Sequence, residues 1–156
     1  MGLRSLALAV AQQPWVPRLR RVIVPTDLLV ARLTRGRLVT LGAIPSLLLT
    51  TTGRRTGQPR TTPLLCVPDG DAFLVIGSNW GQPRHPAWAL NLLAHPDASI
   101  VHKGQRFDVR AERLTGADRQ RAWRLLVEQW PAYTDYAERA GRELHLFRLL
   151  PAEGQG

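Results

Sequence analysis

The sequence predicts an α+β domain: a small barrel or rolled sheet of about six mostly antiparallel strands, with flanking helices and an N-terminal helical segment. Three observations predict it. Short apolar runs bounded by turn residues outnumber helical patterns. The connections between those runs are short, and there is no βαβ rhythm or internal repeat. The length, 156 residues, is one domain's worth and enough for a real core. The chain is therefore read as a single domain, 1–156, with a basic helical segment at 1–40 and a core at 46–151.

Residues 3–12 read as a helix that is apolar almost all round, interrupted by Pro14 and Pro17. The same stretch imitates a short signal peptide, but its basic region is minimal and its apolar run is at the short limit. Residues 18–35 mix apolar residues with five arginines, and Leu28 to Leu33 reads as a short helix begun near Asp27. This basic region could touch the inner face of a membrane or cover one side of the barrel.

The core starts with a strand over Ser46 to Thr52. A basic turn, Gly53 to Arg60, leads into a second strand over Thr61 to Val67. Pro68-Asp69-Gly70-Asp71 is a strong turn signal, so strands two and three form a hairpin. Strand three, Ala72 to Gly77, is apolar on both faces and is expected to be central. A loop from Ser78 to His85 precedes a helix from Pro86 to Ala94, with Pro86 near its first turn. Strand four, Ala98 to His102, turns at Lys103-Gly104 into strand five, Arg106 to Leu114. There Phe107, Val109 and Ala111 alternate with Arg106, Asp108, Arg110 and Glu112, which marks one wet face. Thr115 to Asp118 reads as the cap of a helix reaching Trp130, with Trp123, Leu125, Leu126 and Trp130 on its apolar stripe. Ala132 to Ala140 is a further helix, ended by Gly141. Glu143 to Leu150 alternates like a last strand.

The charge is uneven. The net charge is +9, and Lys103 is the only lysine. Through Arg60 there are ten arginines against one acid, Asp27; beyond Arg60 the charges cancel. Such a surface suits nucleic acid, an anionic membrane face or a multiply charged small molecule. No helix pair, zinc spacing or aromatic sheet motif marks a nucleic-acid binder. One cysteine, Cys66, excludes an intramolecular disulfide and suits a reducing, cytoplasmic compartment. Its apolar strand makes it a buried small hydrophobe before it makes it a reactive thiol. His85, His95, His102 and His145 have no metal-ligand spacing.

Catalytic motifs are few. Ser78 and His85 lack a G-x-S-x-G elbow. The basic turn lacks the lysine and spacing of a P-loop, and no G-x-G-x-x-G occurs. What remains is a binding constellation. Arg54, Arg55, Thr56 and Arg60 supply donors for an anion, phosphate or carboxylate. The loop at Ser78 offers a hydroxyl, an amide and an indole. Trp88 and Asn91 lie three apart on one helix face. An aromatic and an amide suit a flat heterocycle, although Trp88 also suits a core and Asn91 a structural hydrogen bond.

Thr50-Thr51-Thr52-Gly53-Arg54-Arg55-Thr56-Gly57-Gln58-Pro59-Arg60, followed by Pro63-Leu64, resembles the signature of the deazaflavin-dependent nitroreductase family. The likeness continues at Ser78, Gly81, Pro86, Trp88, Asn91, Leu92 and Pro96, and at Pro131-x-Tyr133-x-x-Tyr136. The resemblance implies a split β-barrel and coenzyme F420. Arg54, Arg55, Thr56 and Arg60 would hold its phosphate and acidic tail. Thr61, Thr62, Pro63, Leu64 and Leu65 would line the tricyclic ring and ribityl chain, together with Ile76, Gly77, Ser78 and Asn79. Ala87, Trp88, Ala89, Leu90 and Asn91 would face the coenzyme, and Tyr133 would close the substrate side. The sequence departs from a nitro-reducing relative at Asn79, where that protein has lysine, and has Trp130 where tyrosine can occur. The expected activity is hydride transfer from F420H2 to an enone, quinone or nitroaromatic, with Tyr133 donating to the developing anion and Tyr136 and Ser78 behind it. FMN is the alternative cofactor. A non-catalytic F420- or FMN-binding protein and a peripheral membrane module are the alternative functions. A homodimer is expected by analogy alone.

Overall fold

A computed structural model describes residues 45–152. The expected N-terminal helices and membrane contact lie outside the described residues. Seven strands form one sheet: β1 (Ser46–Thr52), β2 (Pro59–Leu65), β3 (Val67–Asp69), β4 (Ala72–Ile76), β5 (Asp97–His102), β6 (Gln105–Arg113) and β7 (Leu146–Pro151). Among the described residues three α-helices accompany them: α1 (Ala87–Ala94), α2 (Gly116–Gln129) and α3 (Ala132–Ala140). The strand order is β2-β1-β5-β6-β7-β4-β3, and every pairing is antiparallel.

That order explains the curl. β2 and β3 lie at opposite edges of the sheet, yet only Cys66 separates them in the chain. The sheet must bend until its two edges meet at Cys66, whose N–H donates to the Pro45 carbonyl at 3.0 Å. The expected second strand, Thr61 to Val67, is therefore two strands. The run breaks at Cys66, and Val67–Asp69 pairs with β4 rather than β1. The edge positions also account for the prolines. Pro59 and Pro63 lie in β2 and Pro68 in β3, where a missing N–H leaves no interior ladder broken. The Asp69-Gly70-Asp71 corner turns at Gly70, with φ +61°.

Both faces of β4 are buried, as its sequence predicts, but it lies next to the sheet edge rather than at the centre. Leu74 and Ile76 face α2 and α3, alongside Leu126, Trp130, Tyr133 and Tyr136. Val75 faces the inside of the curl, with Leu47, Leu49, Trp88, Leu92, Ile100 and Phe147. The sheet thus separates two cores, with α1 plugging one and α2 and α3 covering the other. Cys66 is fully buried in the inner core, and burial pushes its thiol up to about 12, as suits an inert filler.

α2 is fastened to the closing corner. Arg121 donates twice to Asp69, at 3.0 and 2.8 Å, and Gln129 Nε2 donates to the Cys66 carbonyl at 2.9 Å. Thr115 stands at the cap position of α2, but its hydroxyl makes no cap bond. The last strand starts at Leu146 rather than Glu143. Before it, Glu143 pairs with Arg119, and Arg119 also donates to the Leu144 carbonyl, which withdraws that carbonyl from the ladder.

Candidate active site

One cleft of about 620 Å³ runs between the β1–β2 edge, the β4–α1 loop and α3. Its lining includes Arg54, Arg55, Thr56, Arg60, Thr61, Thr62, Pro63, Leu64, Leu65, Ile76, Ser78, Asn79, Ala87, Trp88, Asn91, Tyr133 and Tyr136. Segments 80 residues apart in the chain therefore meet around one volume. Gly77, Ala89 and Leu90 are not among the lining residues. Gly77 packs behind the wall: a Cβ on it would lie 3.3 Å from the Ala89 Cβ and 3.5 Å from Pro86 Cδ. Ala89 is fully buried in the inner core. On α1, Ala87, Trp88 and Asn91 line the cleft and Ala89 and Leu90 do not, because a helix turns its side chains by about 100° per residue.

The basic turn is a closed structure. The Gly53 N–H donates to the Gln58 carbonyl and the Gly57 N–H to the Gly53 carbonyl, each at 2.8 Å. Thr56 Oγ1 accepts from the Gln58 N–H at 3.2 Å. A Cβ on Gly53 would lie 2.8 Å from that hydroxyl oxygen, so the turn closes only over glycine. Asn91 then locks the turn to α1. Its Oδ1 accepts from the Arg54 N–H and its Nδ2 donates to Thr51 Oγ1, both at 3.0 Å. Asn91 is 3% exposed and has both ends of its amide engaged. Among the described residues, Arg54, Arg55 and Arg60 are exposed and pair with no acid. Four arginines of the sheet and helices pair with acids: Arg110 with Asp97, Arg119 with Glu143, and Arg121 and Arg148 with Asp69.

The opposite wall is aromatic. Tyr133 and Tyr136 are buried with ring centroids 6.2 Å apart, and Trp80 sits 6.2 Å from Tyr136. Burial, with Tyr136 and Cys66 nearby, pushes the Tyr133 hydroxyl far above its ordinary range. Burial also raises Tyr136, against a hydrogen bond from Trp130. Both phenols stay protonated, so they serve as hydrogen-bond donors and not as bases.

The β4–α1 loop is sharply bent. Asn79 and Trp80 have φ of 46° and 58°, and Gly81 has 78°. Gly81 is pressed onto α3, where a Cβ would lie 3.0 Å from Tyr136 Cα. Arg142 holds this loop from behind. It donates to the carbonyls of Gly77, Ser78, Gln82 and Arg84 at 2.9–3.3 Å and to His85 Nδ1 at 3.1 Å. His85 is thus turned to Arg142 rather than to Ser78, which removes the Ser–His nucleophile reading.

The structure adds Ser46, Gly53, Trp80, His85, Pro86 and Trp130 to the lining. Trp80 and Pro86 were already part of the sequence reading, one as the indole of the Ser78 loop and the other within the family likeness. The cleft-facing placement of Trp130 and His85 was not, since only the packing of α2 and the loop turns them inward. Among the described residues no group of His, Cys, Asp and Glu could hold a metal ion, and no helix is long and apolar enough to cross a membrane. The donor set fits the coenzyme implied by the sequence resemblance. Unpaired guanidinium groups suit a phosphodiester and a carboxylate tail, and Pro63, Leu64, Leu65 and Ile76 offer an apolar surface for a flat ring.

Comparison with known proteins agrees. Residues 28–151 match the family described as F420H(2)-dependent quinone reductase. An F420H(2)-dependent quinone reductase of Mycobacterium tuberculosis H37Rv is 44% identical over 106 residues, covering 66% of this chain and 71% of that protein. A solved F420-H2 dependent reductase, FDR-A, superposes with a TM-score of 0.63 at 33% identity, covering 67% of this chain and 93% of its own. A structure described as a domain-swapped dimer superposes with a TM-score of 0.64 at 30% identity, covering 80% and 98%. These matches do not favour the non-catalytic or FMN readings. The curled antiparallel sheet, the arginine-rimmed cleft and the sequence match together place this chain in the F420H(2)-dependent quinone reductase family, as an F420H2-dependent oxidoreductase whose cofactor is coenzyme F420.

Proposed function

We propose that this reductase acts on a quinone, with Arg54, Arg55 and Arg60 anchoring the coenzyme and Tyr133 facing the acceptor. One observation carries the reading: a single cleft joins three arginines that pair with no acid among the described residues to a wall of protonated tyrosines. Bound in reduced form, the coenzyme would supply a hydride, so a quinone would gain two electrons and one hydrogen, leave as the hydroquinone anion and take its last proton from solvent.

The residues of this chain do the rest. The arginines and Thr56 bind the anionic tail. Thr61 to Leu65 and Ile76 to Asn79 orient the ring, and Trp88 and Ala87 bound it. The aromatic wall excludes water. Tyr133, Tyr136 and Ser78 are the donors for negative charge developing on the acceptor oxygen. The homologue described as a quinone reductase favours a quinone over an enone or nitroaromatic. A homodimer belongs to the same proposal, after the domain-swapped relative.

The test is a fluorescence titration with F420, and separately FMN, at low and moderate salt, followed by reduction of menadione with F420H2. F420 should bind alone and weaken with salt. Changing Arg54, Arg55 and Arg60 together to glutamine should weaken it by roughly a hundredfold or more. Tyr133→Phe should lower menadione turnover and leave F420 affinity near wild type. F420 binding that ignores both salt and the triple change would refute the anchoring role. Reduction of enones or nitroaromatics but not menadione would refute the acceptor.

A further inference from the structure

The cleft wall contains an imidazole whose hydrogen bonding is set from behind. His85 lines the cleft and is half-buried. Its Nδ1 lies 3.1 Å from Arg142 Nη1. A guanidinium only donates, so Nδ1 must accept, and the ring proton must reside on Nε2. No hydrogen bond within the described residues occupies Nε2. We infer that Arg142 is a positioning residue that holds His85 as its Nε2–H tautomer and presents that N–H to a carbonyl or oxyanion oxygen in the cleft.

The surroundings keep the ring in place and uncharged. His145 stacks on it with centroids 4.3 Å apart and planes 20° from parallel. The buried Nδ1 of His145 has no partner among the described residues. His85 faces the positive charges of Arg142 and Arg113. His145 faces those two arginines as well, with Glu143 as the one opposing charge. Burial and these charges hold both imidazoles below their ordinary pKa. Among the described residues Arg142 has no acidic partner; its fork is filled by four carbonyls and this one ring nitrogen. A neutral imidazole N–H is a fixed dipole that donates without adding a charge that a neutral acceptor would have to desolvate.

Two oxygens could receive the bond: a carbonyl of the coenzyme ring or the oxygen of the acceptor. That identification rests on the quinone-reductase reading; the tautomer does not. In 15N-histidine-labelled full-length protein, long-range 1H–15N correlation reads the tautomer of His85 directly, with His85→Gln for assignment. The wild type should show one Nε2–H tautomer at neutral pH. Arg142→Met and Arg142→Lys should give a mixture, since lysine lacks the fork. Oxidised F420 and menadione are then added separately. The one that shifts the His85 Nε2 signal is the source of the oxygen. His85→Phe should weaken binding or raise KM for that same ligand by about tenfold to a hundredfold, with His85→Gln recovering much of the loss. Failure of the quinone reading looks different: menadione goes unreduced while the tautomer and the response to F420 persist, which supports the coenzyme as the source. An Nδ1–H tautomer in the wild type would overturn the inference. So would an unchanged tautomer in a folded Arg142→Met protein, or an Nε2 signal indifferent to both ligands.

Discussion

Replacing Asn91 by leucine should both destabilise the protein and disarm its basic turn. The side chain is 3% exposed, and leucine keeps its branched four-atom outline while removing donor and acceptor; its bulkier methyl groups add an overpacking cost to the lost hydrogen bonds. Two bonds disappear. The one to Thr51 Oγ1 is buried, and its loss strands a hydroxyl at a cost of about 1–3 kcal/mol. The one from the Arg54 N–H is half-exposed, so water can take part of its place and the loss is about 0.5–1.5 kcal/mol. The sum is roughly 2–4 kcal/mol, or a fall of about 5–15 °C in Tm for a domain of this size. Urea unfolding at neutral pH should show a lower midpoint with an unchanged slope. Because Asn91 is the clamp between α1 and the turn that carries Arg54, F420 affinity should fall as well, by about tenfold. A midpoint equal to wild type would refute the structural role. A lower midpoint with unchanged F420 affinity would refute the coupling to the turn.

Gly81→Ala should cost about 1–3 kcal/mol in urea unfolding, because φ is +78° and a Cβ would meet the backbone of Tyr136; the same variant should raise KM for the acceptor more than Kd for F420, and equal changes would separate the loop from the aromatic wall. The Asp69–Arg121 contact predicts an acid-side loss. The hydrogen bond from Arg121 lowers the folded pKa of Asp69, so its contribution is present above the ordinary aspartate range and is lost as pH falls through the lowered value. Arg121→Gln should therefore remove part of the difference between urea midpoints at pH 7 and pH 3, and an undiminished difference would show that the contact does not link folding to pH.

Much of the architecture was legible because it rests on local rules. β1 and α3 keep their expected bounds, and α1, α2, β5 and β6 shift by one residue at an end or two. Apolar period, glycine and proline act over a few residues, and these elements obey them. Besides the start of the last strand, at Leu146 rather than Glu143, the longest misread stretch was Thr61 to Asp71. Its apolar run is continuous, and nothing local says that the chain changes sheet edges at Cys66. That break is imposed by closure of the curl, a long-range condition. The expected place of β4 failed in the same way: burial on both faces was readable, whereas position in the strand order depends on which strands pair.

The site divides along the same line. By itself the sequence determined which residue types gather: the glycine-bounded arginine turn, the hydroxyl and aromatic of the loop, and the paired tyrosines. The excess of arginine through Arg60 determined that the ligand should be anionic, because charge needs no fold to be counted. Only the tertiary structure decided what each group is free to do. It turned Asn91 into a clamp by placing Thr51 and Arg54 on either side of one amide. Among the described residues it left Arg54, Arg55 and Arg60 without an acidic partner and gave one to Arg110, Arg119, Arg121 and Arg148. It set Arg142 behind a loop some 60 residues away, and so chose which nitrogen of His85 carries the proton. Residue types are local properties, whereas the availability of a donor depends on every neighbour that folding brings within hydrogen-bond reach.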